Sequence, residues 1–222
     1  MFSDESIFHL DGRVNKQNCR FWARENPRRY REQPLHSEKV IVWAAMSHRG
    51  VIGPFFFEGN VTGESYLAML QTFLWPQLAN LPDVDQLHFM QDGAPPHFAL
   101  SVRQWLDRVF ELRWIGRRGP IEWPARSPDM TPLDFYLWGH LKQLVYARHP
   151  RTVEDIKDFI RDAISVVNNQ PELMNKVLLE FKHRMQLVVE NGGSHFEQFE
   201  DHPSSDDDDH HNEDDDVYPD AN

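Results

Sequence analysis

Leu87-His88-Phe89-Met90-Gln91-Asp92-Gly93-Ala94-Pro95-Pro96-His97 is the stretch on which the fold turns. Leu87, Phe89 and Gln91 alternate with His88, Met90 and Asp92, which is the period of a strand, and the glycine and two prolines beyond forbid its continuation. A carboxylate is thereby set at a strand end ahead of a tight turn, where an acid is held rigidly and still reaches a metal or a substrate. The same position suits an Asp that merely bonds its own turn backbone, so Asp92 alone decides nothing. What matters is which other acids converge on it.

Towards the N-terminus the pattern is helical and then extended. Tyr66, Leu67, Leu70, Phe73, Leu74 and Leu78 fall on one helical face, with Thr62 as the N-cap and Pro76 as a kink or an end. Lys39 to Met46 and Val51 to Glu58 are two β-branched and aromatic runs joined by Ser47-His48-Arg49-Gly50, a hairpin signal. Arg13 to Ala23 is mostly extended and broken by Asn26-Pro27, and residues 27 to 37 read as a polar loop. Met1 to Phe8 reads like the second half of a strand, with Asp4 arriving almost at once.

Towards the C-terminus, Val102, Trp105, Leu106, Val109 and Phe110 keep the spacing of an amphipathic helix. Leu112 to Ile115 is a short strand, followed by a loop rich in glycine and proline. Thr131-Pro132-Leu133-Asp134 then starts a helix: Thr131 as N-cap, proline at the first position, an acid three residues after the cap. Leu133, Leu137, Leu141 and Leu144 form its apolar face. Two more helices follow, one capped by Thr152 with Val153, Ile156, Ile160, Ile164 and Val167 inward, the other from Pro171 with Met174, Leu178, Phe181, Met185 and Val188 inward, stopping at Gly192-Gly193. Three meandering strands, a helix, a strand, a helix, a strand and three helices predict an α/β protein with a mixed five-stranded sheet and helices on both faces.

Composition bounds the rest. The chain has 222 residues and a formal net charge of −12, but 12 of its 35 acids lie in residues 197 to 222, where there is no Lys or Arg. The remaining 23 acids match the 23 bases, so the body is neutral and the tail acidic. A neutral body does not by itself advertise nucleic-acid binding, although the clusters Arg28, Arg29, Arg31 and Arg113, Arg117, Arg118 leave room for a basic groove. The single Cys19 excludes an internal disulfide, and with no signal peptide or apolar run approaching membrane length the expectation is a soluble, intracellular protein with no membrane partner.

In the predicted layout the ends of the first strand and of the 87 to 92 strand lie side by side, which sets Asp4 beside Asp92. The helix beginning near Asp134 needs only to bring its N-terminus close to complete three carboxylates. Such a set suits hard divalent cations, and two of them about 3.5–4 Å apart are the arrangement for in-line phosphodiester displacement.

The motifs are more specific than the periodicity. Phe2-Ser3-Asp4-Glu5-Ser6-Ile7-Phe8, the Gln91 to His97 stretch, and Trp123-Pro124-Ala125-Arg126-Ser127-Pro128-Asp129-Met130-Thr131-Pro132-Leu133-Asp134-Phe135-Tyr136-Leu137-Trp138-Gly139 together resemble the catalytic domain of mariner-type DNA transposases (the mariner/Tc superfamily), in order over residues 2 to 199. The resemblance implies an RNase H-like fold, cut-and-paste cleavage and joining of DNA, two Mg²⁺ or Mn²⁺ ions, and an acidic triad of Asp4, Asp92 and Asp134. It further implies transposon ends and target DNA as partners, a homodimer, and work in the nucleus. Asp134 is preferred to Asp129 because the motif places the ligand after the second proline, and a first-turn acid is kept ionised by the helix dipole.

Two departures from the family pattern stand out. The expectation is a truncated first strand with the upstream helix-turn-helix region absent, a catalytic domain over 1–199 and an acidic disordered tail over 200–222, a tail suited to basic proteins. Gly93 also replaces the Asn that commonly follows the second Asp, loosening that loop. A second function therefore stays open: a catalytically inactive transposon-derived remnant, or a host-adopted nuclear interaction protein. His97, Arg126 and Lys142 are candidate substrate contacts; His97 serves equally as a packing or loop-ordering residue, and Glu5 as a solvated neighbour. Trp123, Phe135 and Trp138 read as core, and His210-His211 as part of the solvated tail.

Overall fold

The computed structural model describes residues 1–12, 38–123 and 130–190. Expectations for Cys19, Arg28, Arg29, Arg31, Arg126, Asp129, Gly192-Gly193 and the acidic tail therefore lie outside the described residues. Strands β1 (Phe2–His9), β2 (Lys39–Ser47) and β3 (Gly50–Phe57) form an antiparallel meander. Strands β4 (Phe89–Met90), β5 (Trp114–Gly116) and β6 (Ile121–Glu122) add in parallel on the other side of β1. The order is β3-β2-β1-β4-β5-β6.

The mixed sheet is as expected, with one strand more. The two-residue β6 is exposed, carries too little alternation to announce itself, and exists through its pairing with β5. The first strand is not short. It runs eight residues, pairs with β2 from Phe2 to His9, and thereby holds Asp4 in a full ladder opposite Ala44. Conversely, the strand expected over 87 to 92 keeps only Phe89 and Met90, because the chain leaves the ladder before Asp92.

Alternation along β2 divides the interior into two cores. Val40, Val42, Ala44 and Met46 pack with Leu141, Val145, Ile156, Ile160 and Val167 from the C-terminal helices α4 (Trp138–Tyr146) and α5 (Val153–Asn168), with Met174 and Val177 of α6 (Pro171–Glu190), and with Leu133 and Leu137 of the turn before α4. Ile41, Trp43 and Ala45 pack on the opposite face with Tyr66, Met69, Leu70, Leu74 and Leu78, and with Val102, Trp105 and Leu106 of α3 (Leu100–Val109). Each of the larger aliphatic side chains contributes roughly 1.5–3 kcal/mol by leaving water. Both faces are thus covered, and the sheet ends are left as the open part of the molecule.

Two widened helical turns mark where prolines meet helices. α1 (Gly63–Met69), closed by a Thr62–Ser65 capping box, passes through a π-helical turn, Leu70–Leu74, into α2 (Trp75–Leu78). Pro76 cannot donate to the carbonyl one turn back, and ahead of it the ladder widens so that the Trp75 N–H reaches the Leu70 carbonyl. The break expected at Pro76 is therefore absorbed and the helix runs on. A second π-helical turn, Leu133–Leu137, precedes α4, with the Trp138 N–H on the Leu133 carbonyl. Here the expected Thr131 side-chain cap gives way: the cap position falls on Pro132, and it is the Thr131 carbonyl that accepts from the Asp134 and Phe135 N–H groups. α5 starts as expected, with a Thr152–Asp155 capping box.

Candidate active site

The register of the two central strands brings the first two acids level. Phe2 pairs with Met90 in parallel, the Met90 N–H bonding the Met1 carbonyl, so Asp4 and Asp92 each lie two residues further along their chains. Residues of β1 alternate between faces: Phe2 and Phe8 join the core beneath the C-terminal helices, and Asp4 points with them. There the Trp138 indole N–H donates to Asp4 Oδ2 at 2.7 Å. Burial drives the Asp4 carboxyl well above the usual range, and the charges of Asp134, Glu5 and Asp92 push the same way against the Trp138 hydrogen bond.

Asp92 is both a turn residue and an oriented acid. Its Oδ1 accepts the Ala94 N–H at 2.9 Å, the local turn bond, and also the His97 Nδ1–H at 2.5 Å. The side chain remains 46% exposed. Desolvation opposes the charge on Asp92, but the His97 bond and charge outweigh it and hold the carboxyl below its ordinary range.

His97 is the residue that sequence left undecided, and its place is now clear. It is buried, donates Nε2–H to the Glu5 carboxylate at 3.0–3.1 Å, and lies tilted against the Tyr66 ring at 4.2 Å centroid separation. Burial alone would lower its pKa, yet the Glu5 charge and the two carboxylate bonds raise it to about 10, so the ring is an imidazolium bridging Glu5 and Asp92. Gln91, also buried, donates Nε2–H to the His97 carbonyl and accepts the Tyr66 hydroxyl, each at 3.1 Å. Glu5 is neither a solvated neighbour nor free: odd residues of β1 face the α1–α3 side, where His97 waits. Tyr66 and Gln91 were read only as an inward helix position and a strand end. Their polar ends gave no periodic signal.

Asp134 sits in the π-helical turn before α4, with its side chain reaching solvent. Crowding by protein, then the Asp92 charge, push its carboxyl up to about 6, with Lys142 opposing. Lys142, half-buried two turns along, lies 5.6 Å over the Phe8 ring; burial lowers its pKa while Asp134 and Asp4 raise it. It thus faces the acids. Trp123 and Trp138 are core, as read, and Phe135 packs against that core.

Carboxylate oxygens are the ligand type that hard divalent cations take. The Asp92 charge helps to raise both the Asp4 and the Asp134 carboxyls, so negative charge is concentrated here, and Asp4 and Asp92 are oriented by dedicated donors. Among the described residues, no group of three or more His, Cys, Asp or Glu side chains is gathered at metal-site spacing.

A six-stranded mixed sheet of this order, helices on both faces and acids on the adjacent central strands β1 and β4 or just beyond define the class: an RNase H-like α/β protein. The catalytic domain of Mos1 mariner transposase shares the fold, with a TM-score of 0.63 at 19% identity, covering 88% of this chain and 82% of that one. A Mos1 transposase paired-end complex with the left transposon end matches with a TM-score of 0.64 at 20% identity, over 88% of this chain and 55% of that one. The family model described as DDE superfamily endonuclease matches residues 1–160, and the chain belongs to that family. Similar in sequence are the Caenorhabditis elegans Tc3 transposase, 32% identical over 200 residues (87% of this chain, 56% of the relative), and the Tc1 transposase of the same organism, 24% identical over 198 residues (87% and 68%). The chain thus spans little more than half the Tc3 length. The mariner/Tc resemblance carried by the three motifs is borne out.

Proposed function

We propose that this chain is the metal-dependent DNA-cleaving and strand-transferring domain of a cut-and-paste transposase, with Asp4, Asp92 and Asp134 as its ligand set. The observation that carries this reading is the Phe2–Met90 register, which puts Asp4 level with Asp92 just past the end of β4, while the Asp134 charge acts on Asp4 and the Asp92 charge on Asp134. The three aspartates would hold two Mg²⁺ or Mn²⁺ ions, whose chemistry at a phosphodiester is to polarise the phosphoryl oxygen and acidify the attacking water or 3′-hydroxyl. The protein's own part is placement. His97 fixes Oδ1 of Asp92 and Trp138 fixes Oδ2 of Asp4, so that each acid keeps one oxygen for the open side. Lys142, facing Asp4 and Asp134, suits a substrate phosphate.

Within this reading residues 1–199 are the catalytic unit and 200–222 an acidic tail for basic proteins; transposon-end and target DNA are the partners, a homodimer the assembly and the nucleus the site of action. The full chain with Mn²⁺ and short duplexes carrying transposon ends should nick or join them, and Asp92→Ala should abolish this. Activity persisting in Asp92→Ala would overturn the assignment. A second reading, an inactive or host-adopted nuclear interaction protein, is favoured by the burial of Asp4, which drives that carboxyl towards its neutral form, a poor ligand. Calorimetric titration with Mn²⁺ separates them: tight binding lost in Asp92→Ala supports the enzyme, and no binding in the unaltered chain supports the remnant.

A further inference from the structure

Three arginines converge on one aromatic ring next to the acids. The guanidinium carbons of Arg103, on α3, and of Arg117 and Arg118, in the loop after β5, lie 4.7, 4.6 and 5.3 Å from the centroid of Phe98. Phe98 directly follows His97, and Arg103 Nε–H donates to its carbonyl at 3.2 Å. The stem of Arg117 lies over Gly93: a Cβ built there would stand 3.5 Å from Cβ and Cδ of Arg117. A Cβ would make ordinary van der Waals contact there, so the Arg117 stem already lies against the glycine. The glycine that reads in sequence as a loosened loop is the floor of a cationic cluster.

Like charges around a single apolar ring repel, and cation–π attraction at a partly exposed site, about 0.5–1 kcal/mol per pair, does not neutralise them. Among the described residues no ion pair includes Arg103, Arg117 or Arg118, and Glu122 directs its carboxylate to the Arg118 backbone N–H. Arg117 and Arg118 are exposed. A guanidinium laid against a ring keeps its edge N–H groups open, and that planar fork matches two oxygens of a phosphate. The cluster thus holds oriented cations on an open side of the molecule.

We propose that Phe98, Arg103, Arg117 and Arg118 form a phosphodiester-binding site that seats the backbone of the DNA strand entering beside Asp92. It rests on the DNA reading above and extends it to residues outside the acidic set. Such a site positions the strand without reading its bases.

The test is fluorescence anisotropy of a labelled duplex of arbitrary sequence titrated with the full chain in EDTA between 50 and 200 mM salt. The slope of log affinity against log salt falls by roughly 1 for each phosphate that the protein ceases to neutralise. Combined Arg103→Ala and Arg117→Ala should lower it by about 2. Arg117→Lys should keep the slope but weaken binding at fixed salt, and Arg108→Ala, on the same helix and exposed, should leave both unchanged. Thermal melting controls for folding. A double variant with the unaltered slope, a loss matched by Arg108→Ala, or no duplex binding by the unaltered chain would each overturn the site. Asp92→Ala keeps the two readings apart: if nicking survives it while the double variant still lowers the slope, the phosphate site stands and the catalytic assignment falls.

Discussion

Trp138 donates its indole N–H to Asp4 across 2.7 Å, and with that bond α4 grips the first strand. The indole is 4% exposed and belongs to the core, so one side chain both packs and orients an acid. Trp138→Phe keeps most of the packing and removes the donor. Leaving a buried carboxylate short of a partner costs roughly 1–3 kcal/mol, visible as a lower urea midpoint. Loss of such a supporting bond typically weakens metal affinity about 10–100-fold, which titration with Mn²⁺ would report. An unchanged affinity would show that Asp4 needs no orienting donor.

His97→Ala should be more damaging to the fold. It removes the cation from a buried bridge and leaves Glu5, whose side chain is 16% exposed, facing the space without its partner. Breaking such a pair one-sidedly costs roughly 3–5 kcal/mol, and the expected effect lies at the lower end because Asp92 is half open to water. The same bridge sets a pH signature. The folded-state pKa of His97, about 10, is above its unfolded value of 6.5, so the stabilisation is complete below about pH 6.5 and is lost as pH rises towards 10. Urea unfolding at pH 7, 8.5 and 10 should show a fall that His97→Gln flattens.

The acids predict the opposite dependence for metal. Asp134 titrates near 6, and Asp4 well above its usual range, so protons compete with a divalent ion below about pH 6. Without metal these raised carboxyls favour the folded chain at low pH and cease to as pH climbs past their values. Millimolar Mn²⁺ should therefore raise the melting temperature more at pH 7.5 than at pH 5, and Asp92→Ala should remove the difference. An equal increment at both pH values would place Mn²⁺ elsewhere.

Asn168, at the end of α5, accepts the Val51 N–H at 2.7 Å and donates to the Val51 carbonyl at 3.0 Å. It caps the outer strand β3 as another strand would. Gly50 beside it has a φ of +114°, and a Cβ there would come within 2.7 Å of the Asn168 side-chain oxygen. Asn168→Ala should cost about 1–3 kcal/mol in urea unfolding without changing metal affinity.

Much of this was legible from residues alone, for definite reasons. The hairpin of β2 and β3 was visible because its strands are long and one turn joins them. The faces of α3, α5 and α6 were visible because burial imposes a period, and the Thr152 cap because its chemistry is local. Asp4, Asp92 and Asp134 were singled out through motif order, and the strand register brings the first two level. Strand β6 escaped, being two exposed residues fixed only by a neighbour. Glu5 and His97 stand far apart in the chain, and their ion pair follows from which face of β1 an odd residue takes. The widened turns escaped too, because each is a compromise between proline and packing that no period encodes.

The turn at Leu133–Leu137 has one more consequence. A π-helical turn is an α-helix carrying one extra residue, and each residue turns the helix by about 100°. Asp134 and Trp138 are therefore set in phase by an insertion, like two cogs offset by one tooth. Deleting a single residue between them would restore a regular helix and swing either the acid or the indole out of line with β1, though every residue type at the site were kept. Spacing in this segment is thus under tighter constraint than identity, and a one-residue deletion there should silence the site more completely than most substitutions.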